Sequence, residues 1–511
     1  MSVRRSVFWA FSGQIISAVV GFGSSVVIAR LLSPYEFGLN AIAVSTSGLL
    51  AVIAASGADA LIVREVNLTR QIIASATTVN AILFIMLSFI LFGVSFVAEP
   101  LLGDSKAGNI IRILSILPLL NILAFRPSAM LQRDMRFKAA ALVVSVSVIV
   151  NNLITIIGIL IGGSYLSPAI GAVSGLIATL ILYAFISPNE SIPKFSLIGI
   201  KDMAIFGLRM VSVSGAGQFV QHTSQIILGR ILGISVLGLY SRATLLANFL
   251  FSQLYGTATR VTFSQMSKKY RETGELKETF LRSFYIIVSV MWPLLLSLAI
   301  LSKPALVILY GDRWVGAAVP FAILLIAQAF TLSFGMNWEL FVIRDRLAVQ
   351  TRYEIARSIL GLAAFSIGCM FSMTMAAMGR LVDAIIGCVL YFPWMGRLSG
   401  ANNQQILGIY GRGGAIAAIT TLPSLVLMVA TGWNAHPPLL WLVSSVLASA
   451  LCWVAMLWAL SHPLLAEARV IYSVGRRTLA RMPYIGLHRL GRADAANAPQ
   501  PIDRAPIDER F

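Results

Sequence analysis

Polar side chains recur at helical spacing inside two otherwise apolar segments of the sequence. In the segment 204–229 they share one face of an α-helix, at about 100° per residue, and are Ser214, Gln218, Gln221, His222 and Gln225. The segment 8–29 has a similar face, which carries Gln14, Ser17, Gly21, Ser24 and Ser25. The pattern predicts that both faces line a central cavity. The alternative is that these side chains only hold neighbouring helices together by hydrogen bonds.

Arginines inside apolar segments point to a negatively charged ligand. On the segment 237–263, Arg242, Gln253 and Arg260 fall within about 40° of one helical line. Arg126 and Arg209 complete the set of cationic candidates. A guanidinium group suits anions that carry several oxygen atoms. The alternative is that Arg242 and Arg260 extend their charged ends to the membrane surface.

Three acidic residues are candidates for coupling to a cation or a proton, because an ionisable group inside a membrane is costly and usually functional. They are Glu339, Asp383 and Asp59. Asp383 follows Arg380 by three residues, and Arg357 follows Glu354 by three. This spacing predicts two local ion pairs on helices.

No motif of a nucleotide-binding or hydrolytic enzyme occurs in the chain, since GxxxxGK[ST], HExxH and GxSxG are all absent. The four histidines are scattered, and the three cysteines lie in apolar segments. This arrangement predicts no metal site and no disulfide framework. We therefore expect a protein that is not an enzyme and holds no cofactor.

The composition is that of a helical membrane protein, with 58% hydrophobic and only 12% charged residues and a mean hydropathy of +0.84. Apolar stretches long enough to cross a bilayer recur along the whole chain. About fourteen spans are predicted, at 8–29, 37–58, 72–98, 109–131, 139–162, 168–187, 204–229, 237–263, 280–302, 317–342, 354–374, 376–396, 413–432 and 439–460. The sequence thus predicts an all-α polytopic membrane protein.

The basic residues indicate the orientation of these spans. Alternate loops, such as 133–138, 268–277 and 344–352, are rich in lysine and arginine, whereas 163–167 and 433–438 have none. Because basic loops stay on the cytoplasmic side, both termini are predicted to be cytoplasmic and the protein to lie in the cell inner membrane. The net charge of +18 belongs mostly to these loops and to the tail, so we expect no nucleic-acid partner.

A short sequence is repeated 200 residues apart. The stretch "SSVVIARLLSPYEFGLNAIA" at 24–43 aligns with "SQIILGRILGISVLGLYSRA" at 224–243, so that Arg30 matches Arg230 and Gly38 matches Gly238. Further matches follow in the same order, Pro100-to-Asp104 with Pro304-to-Asp312 and "QRDMRF" with "IRDRLA". They predict two parallel six-span repeats around a central cavity. The predicted divisions are lobes at 1–203 and 204–400, two extra spans at 401–462, and a basic, partly disordered cytoplasmic tail at 463–511.

The motifs "IARLLSPYEFGLNAIA" and "LQRDMRFK", with a glycine-rich first span, resemble the polysaccharide-transport (oligosaccharide or O-antigen flippase) family of the MOP superfamily. That superfamily also contains multidrug antiporters and lipid II flippases. The resemblance covers about residues 5–400. It implies two six-span lobes that move undecaprenyl-pyrophosphate-linked oligosaccharide across the inner membrane by alternating access, for exopolysaccharide, capsule or lipopolysaccharide synthesis.

On that resemblance the arginines would bind the pyrophosphate, while glutamine, serine and histidine side chains would meet sugar hydroxyls. The other partners expected are membrane lipids and polysaccharide polymerase or export proteins. Two alternatives stay open, a lipid II flippase of cell-wall synthesis and a multidrug or cation antiporter. The excess of arginine over acidic residues within the spans disfavours the antiporter.

Overall fold

The computed structural model describes residues 3–54, 58–65, 67–198 and 200–465. For the helical residues 3–16, 53–54, 59–60, 64 and 201–216, only the backbone is described. The predicted site residues Gln14, Asp59 and Arg209 fall in these stretches, so their side chains lie outside the described residues. The predicted tail lies outside the description from residue 466 onward.

All regular secondary structure of the described chain is helical, with no strand, which confirms the all-α prediction. Its α-helices are α1 (Val3–Leu31), α2 (Pro34–Ala54), α3 (Ala58–Arg64), α4 (Arg70–Phe96), α5 (Ala98–Leu102), α6 (Ser105–Leu114), α7 (Ile116–Arg133), α8 (Phe137–Gly158), α9 (Ser167–Ile186), α10 (Ile200–Leu232), α11 (Ile234–Thr273), α12 (Lys277–Ile300), α13 (Ser302–Tyr310), α14 (Ala318–Leu332), α15 (Asn337–Ile343), α16 (Leu347–Cys369), α17 (Met373–Ser399), α18 (Asn403–Ala430) and α19 (Leu439–Ala459).

Nine helical segments within the described residues are long and apolar enough to cross a membrane. Every predicted span overlaps one or two of the helices above, although two spans are interrupted. The predicted span 109–131 is broken at Ser115 between α6 and α7, and the span 317–342 is broken at 333–336 between α14 and α15. The protein is therefore a multi-pass membrane protein, and the exact count of fourteen spans stays a prediction.

The same set of helix pairings occurs twice along the chain. In the first half α1 packs on α8, α8 on α9, α4 on α7, α2 on α6 and α7 on α9. In the second half the corresponding pairs are α10 with α16, α16 with α17, α12 with α14, α11 with α14, and α14 with α17. The residues up to Met456 form one compact unit, in which α2 joins the two sets by packing against both α10 and α11.

Local sequence explains why α2 begins where it does. The Ser33 backbone N–H and hydroxyl both donate to Glu36 Oε2 at 2.8 Å, and the Glu36 N–H donates to Ser33 Oγ at 3.3 Å. This is a capping box, and Pro34 takes the first helical position, where its missing N–H costs nothing. The equivalent helix α11 instead begins after Gly233, whose φ of +92° lies in the left-handed region that favours glycine.

Candidate functional site

The repeated hinge sequences meet each other in the folded chain. A Cβ on Gly38 would lie 1.9 Å from the carbonyl oxygen of Ile234, and a Cβ on Gly238 would lie 1.8 Å from that of Pro34. Any side chain at either position would overlap the opposite backbone, so both glycines are needed for the crossing of α2 and α11. Because Pro34 and Ile234 are themselves equivalent in the repeat, the contact is reciprocal.

The matched arginines extend the same reciprocity. Arg30 donates to the carbonyl oxygens of Ile308 at 2.6 Å and Leu309 at 3.1 Å, in the last turn of α13. Helix ends leave such carbonyls unpaired and carry partial negative charge. Arg230 reaches the end of α5, where its Nη1 lies 3.2 Å from the position of a Cβ on Gly103. We call residues 30–38 and 230–238 the hinge cluster. Residues 30–38 contact the second repeat, and residues 230–238 contact the first.

Beside the hinge cluster lies a cavity of about 770 Å³, which we call the central chamber. Side chains of α1, α2, α8, α9, α10 and α11 line it, and most of the lining is apolar. Its polar lining residues include Asn40, Asn152, Gln221, Gln225 and Arg242. The chamber is therefore a largely apolar space that contains a cation.

Arg242 is almost fully buried, with 1% of its surface exposed. Its Nη2 donates to the carbonyl oxygen of Ser25 in α1. Its guanidinium carbon lies 3.9 Å from the ring centre of Tyr310, 5.2 Å from that of Phe37 and 6.0 Å from that of Trp314. Aromatic faces attract such a cation. Nε of Arg242 is buried without a hydrogen-bond partner among the described residues, so its donor capacity is incompletely used.

A second cavity of about 310 Å³, the side chamber, lies among α10, α11, α14, α16 and α17. Arg357 donates from Nη1 to both oxygens of Asp383, at 3.0 and 3.1 Å, and from Nη2 to Glu354 Oε1 at 2.6 Å. The Tyr391 hydroxyl donates to Glu354 Oε2 at 2.9 Å. The side chamber shares Gln221, Gln225, Thr244 and Asn248 with the central chamber, so the two cavities adjoin.

One of the two predicted ion pairs is present, and the other is replaced by a different pair. Arg357 does pair with Glu354. Asp383, however, pairs with Arg357 of the preceding helix, while Arg380 donates to Ser224 Oγ at 2.7 Å and lies over the Phe365 ring. Helix packing decides this exchange, because α16 and α17 lie side by side and the nearer guanidinium is on the neighbouring helix.

The predicted polar face on α10 divides between several surroundings. Gln221 and Gln225 line both chambers, and Gln225 Oε1 accepts from Ser45 at 2.7 Å. His222 packs its ring against Gly48 of α2, and Gln218 is exposed. This face thus serves both of the roles predicted for it, as cavity lining and as contact between helices.

The other predicted residues lie in different environments. Arg126 forms a 2.5 Å ion pair with Glu190, so its charge is compensated from a loop that sequence reasoning did not consider. Arg260 is exposed and donates from Nε to the carbonyl of Gly256 at 3.0 Å. Gln253 is partly buried one turn past the chamber-lining Phe249. Glu339 is buried, and its Oε2 has no hydrogen-bond partner among the described residues. The binding roles of all these residues stay predictions.

Sequence reasoning missed two amide side chains of the side chamber, Asn248 and Gln328. The Gln328 Nε2 donates to Asn248 Oδ1 at 2.9 Å across α14 and α11. A signal was available, because Gln328 interrupts a strongly apolar helix in which few other side chains are polar. An isolated amide inside an apolar span is costly unless it is paired or faces a cavity.

The described fold is similar to that of multi-helix membrane transporters in two solved structures. A lipid II flippase structure, MurJ in an inward closed conformation, matches with a TM-score of 0.66 at 15% identity, over 90% of this chain and all of that one. A multidrug resistance MATE family transporter in an inward-facing conformation matches with a TM-score of 0.60 at 14% identity, over 75% of this chain and 96% of that one. At these identities the likeness concerns the fold alone.

The chain belongs to the family of polysaccharide biosynthesis proteins, whose family model matches residues 27–319. It is 25% identical to the succinoglycan biosynthesis transport protein ExoT of Rhizobium meliloti over 316 residues, 61% of this chain and 63% of that relative. The match therefore spans less than two thirds of that relative's length. It is also 21% identical to the lipopolysaccharide biosynthesis protein WzxC of Escherichia coli over 442 residues, 84% of this chain and 89% of WzxC.

Proposed function

We propose that this chain is a flippase that moves polyprenyl-pyrophosphate-linked oligosaccharide repeat units across the inner membrane for exopolysaccharide, capsule or O-antigen synthesis. One observation carries the proposal: a largely apolar chamber with the buried cation Arg242 in its wall adjoins a smaller, more polar chamber whose lining includes amides and paired charges. A lipid-linked oligosaccharide has the same division, with an anionic head group and a hydroxylated glycan. The names of the relatives, in succinoglycan transport and lipopolysaccharide biosynthesis, support this substrate class.

The proposed architecture has two six-span lobes, at 1–203 and 204–400, which rock against each other around the central chamber. The repeated helix pairings support this division. The spans at 401–462 would lie along the polyprenyl tail, and the basic tail at 463–511 would be cytoplasmic. With both termini in the cytoplasm, the hinge cluster is the outer gate, and its reciprocal contacts hold that gate closed.

In this mechanism Arg242 binds the pyrophosphate from the central chamber. Its position in the chamber wall supports that role over Arg126, which Glu190 neutralises. Arg209 and Arg260 would attract the head group along its route, and Gln14, Gln218, Gln221, His222, Gln225 and Gln253 would meet glycan hydroxyls. An inside-negative membrane favours outward movement of an anion by about 2.3 kcal/mol per charge per 100 mV, so the potential itself can supply driving force.

A titratable group would add a second driving force, and Glu339 is the acid that suits it. Its carboxyl group is buried with Oε2 unpartnered, whereas both oxygens of Asp383 already accept from Arg357. We infer that Glu339 binds and releases a proton during the transport cycle. Asp59 remains a third candidate from the sequence.

Deletion of the gene followed by complementation tests the function. We expect the deletion strain to grow but to lose a surface polysaccharide, wild-type protein to restore it, and Arg242→Gln to fail at equal protein level. A matched control is Arg282→Gln, which removes an arginine from the first turns of α12, away from the residues that line the two chambers. A lethal deletion would favour the lipid II alternative, and restored drug resistance without polymer would favour the antiporter. Full polymer from the Arg242→Gln strain would remove Arg242 from the mechanism.

A further inference from the structure

The side chamber carries no net charge, although four ionisable side chains line it. Two of them are cationic, Arg357 and Arg380, and two are acidic, Glu354 and Asp383. We propose that this chamber binds one uncharged, hexose-sized sugar unit of the transported glycan. The inference rests on the proposed function and deepens it, because it assigns the glycan and the head group to different chambers.

Three of these charged groups satisfy one another, and the fourth, Arg380, donates to Ser224 Oγ and lies over the Phe365 ring. Both oxygens of Asp383 accept from Arg357 Nη1, and the two oxygens of Glu354 are bonded to Arg357 and to the Tyr391 hydroxyl. A metal cation would have to displace Arg357 from its carboxylates. An acidic sugar would have to compete with those same carboxylates for Arg357, or draw Arg380 away from Ser224 and the Phe365 ring. Breaking a buried pair is costly, so a neutral ligand fits this wall better than either ion.

Amide groups supply the remaining hydrogen-bonding capacity. Each amide offers donors and an acceptor, which matches a sugar hydroxyl that both donates and accepts. The Gln328 Nε2 is bonded to Asn248, but Gln328 Oε1 is buried without a hydrogen-bond partner among the described residues. Asn248 uses its Oδ1 in this bond and is exposed, so its Nδ2 donor is not part of the pair. Asn248 and Gln328 are therefore the residues that would select a neutral sugar in the side chamber.

Size and shape agree with a single sugar ring. The side chamber of about 310 Å³ is at the lower end of the usual range for small-molecule sites. Tyr240 and Phe251 add aromatic surface to the lining, against which the C–H face of a pyranose can pack. The central chamber, about 770 Å³, lies next to it and leaves room for the head group near Arg242. A site built to pair hydroxyl groups rejects ligands that lack them.

The test measures binding of four lipids to the full chain in nanodiscs by native mass spectrometry. The probes are undecaprenyl pyrophosphate, its glucose or galactose conjugates, and its glucuronic acid conjugate. For wild-type protein we expect at least one neutral-sugar lipid to bind about tenfold tighter than the bare lipid, as for one or two added hydrogen bonds, and tighter than the acidic conjugate. Gln328→Leu and Asn248→Leu should each bring the ratio of sugar lipid to bare lipid close to one.

Gln404→Leu is the matched control, because Gln404 is exposed at the start of α18, outside both chambers, and its ratio should equal that of the wild type. Asn248 is itself exposed, so its substitution tests the site even if Gln328→Leu impairs folding. An unchanged ratio in both chamber variants, or stronger binding of the acidic conjugate, would overturn the inference and leave the proposed function intact. Wild-type protein that binds none of the lipids would overturn both.

Discussion

At the scale of single residues, two acids of similar sequence context have opposite environments. Asp383 is paired to Arg357 across two helices, and Glu339 is buried with one oxygen that has no hydrogen-bond partner in the part of the chain that the structure describes. Two residues associated with Glu339 also have a buried polar atom without a hydrogen-bond partner among the described residues. They are Asn337, which precedes Glu339 by two positions, and Tyr255, whose hydroxyl interacts electrostatically with Glu339. On the proposed mechanism Asp383 is structural, and Glu339 is the acid that exchanges a proton.

Glu339→Gln should separate transport from the proton gradient. Glutamine keeps the size of the side chain but does not titrate, so transport in proteoliposomes should no longer respond to an imposed pH gradient that stimulates the wild type. Scrambling of a fluorescent lipid-linked oligosaccharide, with and without the gradient, measures this. An equal response in the wild type and the variant would exclude Glu339 as the coupling group.

Asp383→Asn should instead reduce stability. The change leaves Arg357 with a single carboxylate, Glu354, in a mostly buried position. Removing one partner of a buried ion pair typically costs about 3–5 kcal/mol, and Arg357 keeps its second partner, so we expect the lower end of that range. Thermal unfolding in detergent, followed by size-exclusion chromatography, checks the loss, with Glu339→Gln as the control that should unfold at the wild-type temperature or above.

At the scale of helices, α2 and α11 cross at equivalent positions of the two repeats, although different residues begin each helix. A serine–glutamate capping box starts α2, and a left-handed glycine starts α11. Both helices then carry a glycine four residues after their first residue, at 38 and at 238. The shared requirement is close backbone approach at the crossing, which only the absence of a side chain permits.

Gly38→Val and Gly238→Val should therefore open the hinge cluster. Overpacking of a tight contact typically costs about 1–3 kcal/mol, which would lower the equilibrium constant for gate closure by roughly 5- to 150-fold. We expect each variant to insert into the membrane and to lose surface polymer. Gly93→Val is the control, because a Cβ there meets nothing within 4 Å. Normal polymer from both hinge variants would show that the crossing can relax without loss of transport.

At the scale of the whole molecule, the proposed function makes the closed hinge cluster and the adjoining central chamber one state of an alternating-access cycle. Arg242 links them, since it lies in the chamber wall and also contacts Tyr310, Phe37 and the Ser25 carbonyl near the gate. An anion that draws Arg242 into the chamber would loosen the contacts that hold the gate. On the proposed mechanism, substrate binding and gate opening would therefore be coupled through Arg242.

This state predicts one-sided access to the central chamber. With Cys369, Cys388 and Cys452 changed to serine, Ser252→Cys places a single thiol on the chamber wall. A membrane-impermeant maleimide should label it in inverted vesicles and not in intact cells. Adding Gly38→Val should produce labelling in intact cells as well. Equal labelling from both sides in the parent chain would contradict a closed outer gate.

The sequence by itself determined the helical membrane class, the position of nearly every helix and the repeated hinge. It could do so because apolar length and helical periodicity are local properties that a span carries wherever it packs. It also selected Gln221, Gln225 and Arg242, since polar groups on an apolar helix must find a cavity or a partner.

Only the tertiary structure decided which groups meet. Glu190 neutralises Arg126 from a loop more than sixty positions away, and Arg357 rather than Arg380 holds Asp383. Asn248 of α11 and Gln328 of α14 are far apart in sequence, and only the packing of the two helices brings them into hydrogen-bond contact. Periodicity fixes the residues on each helix face, but the face that meets another depends on how side chains of distant helices interlock, and that is a property of the packed bundle.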